Sequence, residues 1–383
     1  MENTLIHKVK HNRILYKAYY YVMSGVINFI KLFVKPDNKL FLFVVYGGKY
    51  YADSPKMLYE AMKSDPRFQD VKLVWGFQHP EEHPEVPLKI KVDTFRYYIT
   101  ALKAKCWITN ESITRALNFK GRDTFYFCTT HTALPKYCGA DAKKEYTFTS
   151  LKSPKYDCTC AQSEAEKEIQ LHEYGLTKEQ IIICGYPKND TIANHTNADV
   201  QRIRRKLRIY NDKKLILYAP TFREKFMKER PLNLQLWKER LGDEYILLYR
   251  AHHAASFNYS INNNLDFVID ASSYPDNTEL LIVADILISD YSGIFFEFGV
   301  QEKPMFCYAY DYEDYQKYRG LYVDLAEELP CKMNEEDLLE YISKSDSKEI
   351  MCKVNLFRKK YISEFGNATS KCLEVIYNNT KVK

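Results

Sequence analysis

From residue 39 onward the apolar positions fall into short continuous runs, alternating with stretches in which they recur every three or four residues. Continuous runs bounded by turn residues read as buried strands, and the spaced stretches read as amphipathic helices. The run 40–46 (LFLFVVY) ends at Gly47-Gly48 as a strand and its turn. Asp53-Ser54-Pro55 then opens a helix, with Ser54 as N-cap and Pro55 at the first helical position. Strands are predicted at 71–77, 106–109 and 124–128, with a helix at 95–104. A second series follows, with strands at 215–218, 245–249, 267–270, 286–289 and 304–308. It includes a helix at 276–283, where Asp276 and Glu279 have capping-box spacing. Strand and helix in alternation predict the α/β class, with a mostly parallel, doubly wound sheet in each of two successive lobes. Substrates in such folds bind at the carboxyl ends of the strands, often where two domains face each other. The expected division is 1–38, 39–200, 201–348 and 349–383, with the polar stretch 189–206 as linker and one or two closing helices at the end.

The segment 14–34 is apolar but broken by Lys17, Asn28 and Lys31, and its uncharged core from Ala18 to Ile30 holds thirteen residues. That is too short for the roughly 20 residues a membrane span needs. No small-residue cleavage site follows, so a signal peptide is not expected either. Lys8, Lys10, Arg13, Lys17, Lys31 and Lys35 surround the run. The pattern predicts an amphipathic helix lying in the plane of an anionic membrane surface; a docking helix packed on protein is the alternative.

Composition adds limits. At 383 residues the chain exceeds the usual size of one core, and with 46% hydrophobic and 27% charged residues it is an ordinary folded protein. A net charge of +5, without RNP sequence, zinc-finger spacing or a dense basic stripe, excludes nucleic acid as the expected partner and favours an anionic small substrate or membrane. The ten cysteines are scattered. The tightest pair, Cys158 and Cys160, lacks metal-knuckle spacing, so reduced, largely buried thiols in a cytosolic protein and no metal centre are expected. The 32 tyrosines suit interfaces and nucleotide or sugar pockets.

The strongest local candidate is 284–297, where the strand ILIS runs into Asp290-Tyr291-Ser292-Gly293 and then an apolar helical stretch. Ser292 is placed to cap the helix, and Gly293 to let a ligand approach the backbone. Exposed N–H groups at a helix start bind anions such as phosphate. A plain strand-to-helix turn is the alternative.

ILISDYSGIFFEF resembles the LITDYSS signature of the CDP-glycerol glycerophosphotransferases, and other segments follow in that family's order. Asp53-Ser54-Pro55-Lys56-Met57-Leu58-Tyr59 is similar to DNPKALY, Gly185-Tyr186-Pro187-Lys188-Asn189-Asp190 to GYPRND, and Leu217-Tyr218-Ala219-Pro220-Thr221-Phe222-Arg223 to LYAPTWR. Arg250-Ala251-His252 matches the arginine-x-histidine segment, Lys303-Pro304 the KP element and Arg319-Gly320-Leu321-Tyr322 the RG-Y element. The similarity spans about residues 40–370. It implies two Rossmann-like lobes of glycosyltransferase B type, with the donor nucleotide held mainly by the C-terminal lobe. It also implies transfer of glycerol phosphate from CDP-glycerol to a hydroxyl of a lipid-linked saccharide acceptor at the cytoplasmic face of the membrane, as a peripheral protein, in teichoic acid or capsule synthesis. Ribitol or another CDP-polyol donor is a close alternative, and a nucleotide-sugar glycosyltransferase an alternative of another class.

Under this resemblance Arg223, Arg250, His252, Ser289, Ser292, Gly293 and Arg319 are candidates for the donor pyrophosphate, with His252 also a catalytic candidate. Asp270, Ser272 and Glu279 are candidates for the nucleotide or polyol, and Asp53 and Lys136 for the acceptor side. Phosphoryl transfer needs cationic or hydrogen-bonding groups on the moving phosphoryl and a base for the attacking hydroxyl. His131, in Thr130-His131-Thr132-Ala133-Leu134-Pro135-Lys136, resembles the histidine of HGTPLK and is the expected base. Thr132 replaces that motif's glycine, proline falls one position late, and Gly293 replaces the second serine of the signature. No Asp-x-Asp pair occurs, so a donor site without metal or other cofactor is expected, with arginine, histidine and helix N-termini in the cation's place.

Overall fold

The computed structural model describes residues 13–130, 135–138, 141, 155–221, 223, 232–251, 266–344 and 347–381. His131 and His252 lie outside them, as does the side chain of Arg319. The described chain is a mixed α/β fold in two units, residues 1–131, 138–188 and 367–383 forming one and 132–137 with 189–366 the other.

The first unit contains α1 (Arg13–Lys31), β1 (Asp37–Val44), α2 (Asp53–Ser64), β2 (Lys72–Phe77), β3 (Lys89–Lys91), α3 (Phe95–Lys103), β4 (Ala104–Thr109), β5 (Phe125–Cys128), β6 (Cys158–Ala161), α4 (Glu164–Tyr174) and β7 (Ile181–Ile183). All seven strands are parallel, in the order β3-β2-β1-β4-β5-β6-β7. Alternate residues of β1 feed opposite faces, as a pleated strand requires. Phe41 and Phe43 pack with Leu58, Tyr59 and Met62 of α2, while Leu42 and Val44 pack with Tyr97 and Ala101 of α3. Burial on both faces explains the unbroken apolar run that marks this strand in the sequence.

α1 docks by a narrow face. Tyr20, Ser24 and Ile27 are buried at helical spacing, and Ser24 Oγ accepts from Asn118 N at 3.0 Å. Lys31, expected among the lysines facing headgroups, instead turns onto protein. Its Nζ donates to Asn28 Oδ1 at 2.6 Å and to the carbonyls of Phe119 and Lys120 at 3.5 and 3.4 Å, and burial lowers its pKa. Much of the outer helix surface is apolar and exposed, with Val22, Phe29 and the following Phe33 at 63%, 63% and 75%.

Where the sequence suggested a linker, the chain forms α5 (Pro187–Ala193) and α6 (Asn197–Lys206), and the units divide at 188/189 rather than 200/201. The second unit continues with β8 (Lys214–Tyr218), α7 (Leu234–Leu241), β9 (Tyr245–Tyr249), β10 (Val268–Asp270), α8 (Asn277–Val283), β11 (Ile286–Ser289), α9 (Ile294–Phe298), β12 (Met305–Tyr308), α10 (Tyr312–Arg319), α11 (Leu325–Glu328), β13 (Cys331–Lys332), α12 (Glu335–Ser343) and α13 (Lys348–Tyr361). Its six parallel strands run β10-β9-β8-β11-β12-β13, again reversing direction of growth beside the first strand of the unit. Trp237 and Leu241 of α7 and Leu338, Leu339 and Ile342 of α12 cover the same face of this sheet, against Ile216 and Tyr218.

The last helix, α14 (Ala368–Thr380), returns to the first unit, where Cys372, Leu373 and Ile376 join the core under α2. Two caps differ from expectation. α2 begins at Asp53, whose Oδ1 accepts from Ser54 N at 2.6 Å, and Ser54 Oγ accepts instead from Lys188 N at 3.3 Å. Asp276 caps α8 through Thr278 N at 2.9 Å, but Glu279 turns away to α6 and closes no capping box.

Candidate functional site

In each sheet the strand order reverses once, between β1 and β4 and between β8 and β11, and open parallel sheets bind ligands at such points outside the strands' carboxyl ends. Both points carry a buried carboxyl group.

In the first unit this is Asp53. Beyond β1, Tyr46 and Gly47 adopt left-handed backbones, and Tyr46 N donates to Asn110 Oδ1, just past β4, at 3.0 Å. Asn110 Nδ2 and the Tyr46 hydroxyl both donate to Asp53 Oδ2, at 3.1 and 2.6 Å, and Lys188 Nζ lies 3.9 Å from Oδ1. Burial alone would raise this carboxyl's pKa; the Lys188 charge and the donors from Tyr46, Ser54 and Asn110 outweigh it, and Asp53 is held below the usual carboxylate range. Asp53 itself has φ +64, a strained backbone for a residue with a Cβ, persisting because its surroundings over-determine it. A second buried carboxyl, Glu166 of α4, accepts from Gln162 N at 2.7 Å and from the Tyr186 hydroxyl.

In the second unit the buried carboxyl is Asp290, two residues from Ser292. Its Oδ1 accepts from Thr221 N and Tyr291 N at 2.9 and 2.7 Å, and its Oδ2 lies 2.8 Å from Arg223 Nη2. Arg223 also forks onto Asp311, with Nε to Oδ2 at 2.7 Å and Nη2 to Oδ1 at 3.0 Å, and donates to Thr221 O at 2.9 Å. Its side chain is 1% exposed, with the rings of Tyr291, Tyr310 and Tyr315 at 5.1 to 5.4 Å. Burial works against the guanidinium's charge, but Asp290 and Asp311 more than compensate and its pKa is raised. Arg223 therefore spends its charge inside the protein, fixing the loop after β8 to the turn after β11.

Arg250, just past β9, is different. Its Nη1 donates to the carbonyls of Ala271 and Tyr274 at 3.0 and 2.9 Å, and among the described residues no carboxylate pairs with it within 4.0 Å. Burial lowers its pKa, with only a weaker opposing pull from Asp276. Half-buried, held in place and not neutralised, it is a ready anion contact.

The other candidates separate accordingly. Ser289 is fully buried and donates to Ala219 O at 2.6 Å. Ser292 accepts from Ile294 N at 3.3 Å, and Gly293 rather than Ser292 occupies the N-cap of α9, which is only five residues long. Ser272 accepts from Ala251 N at 3.1 Å beside Arg250, and its own N donates to the exposed Asp270 at 2.9 Å. Glu279 sits between Arg202 Nη1 and Lys206 Nζ, both at 2.6 Å, with the Tyr274 hydroxyl also donating to it. Desolvation raises its pKa, but these three partners bring it down to about 2. That is a tie between α6 and α8. Lys136, expected on the acceptor side, belongs to the second unit, because Pro135 O accepts from Tyr322 N at 2.7 Å and Lys136 pairs with Leu321. Gly320 makes this possible: its φ is +73, and a Cβ there would lie 2.4 Å from the Tyr137 ring.

For metal, the described residues offer one converging group of three, Cys160, Cys184 and Cys372, with sulfur atoms within 4.8 Å of one another. All three lie in the apolar core, and burial raises the Cys160 and Cys372 thiols far above their ordinary range, so they pack as small apolar side chains.

The family model described as CDP-Glycerol:Poly(glycerophosphate) glycerophosphotransferase matches residues 26–378. The chain belongs to this family. It is 28% identical over 371 residues to the teichoic acid glycerol-phosphate transferase of Staphylococcus aureus, covering 89% of this chain and 94% of that one. It is 32% identical over 322 residues to the teichoic acid poly(glycerol phosphate) polymerase of Staphylococcus epidermidis, covering 77% of this chain but only 44% of that protein's length. A solved structure of the wall teichoic acid polymerase TagF, from a crystal soaked with CDPG, aligns with a TM-score of 0.82 at 27% identity, covering 94% of this chain and 93% of that one.

The family's signature segments thus lie at both points of strand reversal. Tyr46, Asn110, Glu166, Tyr186 and Lys188 were not singled out from the sequence, although Tyr186 and Lys188 stand inside the segment resembling GYPRND. Replacing Arg223 by Met leaves Asp290 and Asp311 without their counter-charge, and removing one partner of a buried ion pair costs about 3–5 kcal/mol. Thermal unfolding of Arg223→Met should show a large fall in Tm; a wild-type Tm with donor affinity lost would make Arg223 a ligand group.

Proposed function

We propose that this protein transfers glycerol phosphate from CDP-glycerol to a hydroxyl of a lipid-linked acceptor in teichoic acid or capsule-type polymer synthesis. The observation that carries this reading is Arg250 at the carboxyl end of β9, held by carbonyls and paired with no carboxylate among the described residues, in a chain of this family. The two units act as Rossmann-like lobes of a glycosyltransferase B-type enzyme, the second holding the donor and the first serving the acceptor. Arg250, Arg319, Ser292 and the Gly293 backbone hold the pyrophosphate, with Lys136 near it and Ser272 and Asp270 toward the nucleotide. Ser289, Arg223 and Glu279 act through the fold, keeping loops and helices in place.

The acceptor oxygen attacks the phosphorus that bears glycerol, and a new P–O bond forms as the bond from that phosphorus to the bridging oxygen of CMP breaks. CMP leaves with the bridging oxygen. His131 takes the proton of the attacking hydroxyl, and His252 stabilises charge on the transferred phosphoryl. Cationic side chains supply the electrostatic stabilisation.

The test is product release from a donor panel. With a lipid-linked acceptor present, CDP-glycerol should yield CMP, and CDP-ribitol and UDP-sugars little product. Arg250→Ala should raise the donor KM by about 10–100-fold, the size expected when a charged hydrogen bond of about 1.5–3 kcal/mol is lost. UDP release, or preference for CDP-ribitol, would redirect the assignment.

The exposed apolar face of α1 supports attachment to a membrane surface at the cytoplasmic side, since patches of this kind mark interaction sites and in-plane helices insert them among lipid headgroups. No helix among the described residues is long and apolar enough to cross a membrane. Val22→Glu together with Phe29→Glu should abolish co-sedimentation with phosphatidylglycerol vesicles while leaving Tm unchanged, because both side chains are 63% exposed. Undiminished co-sedimentation would place the membrane contact elsewhere.

A further inference from the structure

A guanidinium has two edges that grip a pair of anionic oxygens, one formed by Nη1 and Nη2 and the other by Nε and Nη2. In Arg250 the first is closed. Both hydrogens of Nη1 are spent, one on the carbonyl of Ala271 at 3.0 Å and one on that of Tyr274 at 2.9 Å. Nε and Nη2 meet no acceptor among the described residues. Elsewhere in the chain the Nε–Nη2 edge is the one that forks onto carboxylates. Arg115 donates through it to Asp93 at 2.8 and 2.6 Å, and Arg223 to Asp311 at 2.7 and 3.0 Å. Arg250 keeps that same fork open, and what keeps it open is the turn that takes Nη1.

The turn, residues 271–274, is built outward from the sheet. Ala271 N donates to Tyr249 O at 2.8 Å, Ala251 N donates to Ser272 Oγ at 3.1 Å, and Tyr274 N closes the turn on Ala271 O at 3.1 Å. These bonds fix the Ala271 carbonyl. The Tyr274 carbonyl lies at the far end of the turn, and Pro275 follows it with no N–H to give. Here the side chain supplies the hold. The Tyr274 hydroxyl donates to Glu279 Oε2 on the first turn of α8, and Glu279 Oε1 is gripped by Arg202 Nη1 and Lys206 Nζ of α6, each at 2.6 Å. The second acceptor of Arg250 is thus tied to two helices through the ring of its own residue.

We propose that Glu279, acting through the Tyr274 hydroxyl, is the positioning residue for Arg250: the clasp holds the turn so that its two carbonyls occupy Nη1 and leave the Nε–Nη2 edge for the donor diphosphate. This rests on Arg250 being the diphosphate contact. Two phosphate oxygens match that edge as the two oxygens of a carboxylate do, through parallel N–H···O bonds. Without the clasp the guanidinium gains freedom about its side-chain bonds, and part of the binding energy is consumed in ordering it again. Glu279 suits the task. Desolvation raises its pKa, yet Arg202, Lys206 and Tyr274 bring it down to about 2, so it accepts as a carboxylate at every working pH. Burial and the Glu279 carboxylate raise the Tyr274 pKa, so the hydroxyl keeps the proton it donates.

The test is a double-variant cycle on CDP-glycerol affinity, measured by calorimetry without acceptor. Tyr274→Phe keeps the ring and leaves Glu279 paired with Arg202 and Lys206, so it removes the clasp and spares the tie between α6 and α8. It should weaken CDP-glycerol binding about 5-fold in the wild-type background, the size of one net hydrogen bond, and less than about 1.5-fold where Arg250 is already replaced by alanine. A merely structural loss weakens binding equally in both backgrounds. That result, or wild-type affinity in Tyr274→Phe itself, overturns the proposal. Glu279→Gln serves if Tyr274→Phe does not fold, with the same expected dependence on Arg250. A crystal structure of Tyr274→Phe without donor reads the same event without binding: the Arg250 guanidinium should leave the Tyr274 carbonyl, and retention of both Nη1 contacts contradicts the clasp. If Arg250→Ala binds CDP-glycerol as the wild type does, the donor reading fails, and the unliganded structure then decides the positioning by itself.

Discussion

A carboxylate buried at the carboxyl end of a parallel sheet must be met on its lone pairs, and both units are shaped by that requirement. Asp53 and Asp290 each sit at the point where the strand order reverses, and each gathers backbone amides and side chains from connections that leave the sheet in different directions. The consequence is rigidity where a ligand would bind. In the first unit, Asn110 accepts from one turn and donates to the next; in the second, Asp290 ties the loop after β8 to the turn after β11. A site fixed in this way needs little reorganisation when charge moves, which is the condition for electrostatic stabilisation of a phosphoryl group in transfer.

The same requirement sorts the second unit's two arginines. A guanidinium carries one positive charge, and Arg223 meets two carboxylates in a pocket of three tyrosine rings. Nothing is left over for a phosphate. Among the described residues Arg250 meets carbonyl oxygens, which orient it by dipoles without cancelling its charge. Burial strengthens the field of such a group because water is not there to screen it. The division is one of chemistry: Arg223 is matched by two carboxylates, whereas Arg250 is held by carbonyl dipoles.

Strands buried on both faces were legible because their apolar runs are unbroken, as in Leu40 to Val44 and Ile286 to Ile288. β3, β6, β7 and β13 escaped notice: Lys89-Ile90-Lys91, Cys158-Thr159-Cys160-Ala161 and Cys331-Lys332 are short and carry no long apolar run, and Ile181-Ile182-Ile183 is apolar but only three residues long. The sequence made Arg223 and Glu279 candidates but could not say what each faces, since that depends on Asp290, Asp311, Arg202 and Lys206, distant in the chain. Glu166 was hidden for the opposite reason. It lies in Glu164-Ala165-Glu166-Lys167-Glu168, which reads as a solvated helix face, and becomes buried only because α4 starts over the end of β6. Cys160 and Cys372 are 212 residues apart, so spacing could not have announced their 3.5 Å contact.

The most direct test is a crystal structure of the protein with CDP-glycerol. The diphosphate should lie within hydrogen-bonding distance of the Arg250 guanidinium and of the turn at Ser292 and Gly293, while Arg223 keeps its contacts to Asp290 and Asp311. A nucleotide bound away from Arg250, or an Arg223 that has left both carboxylates to reach the diphosphate, would contradict the account.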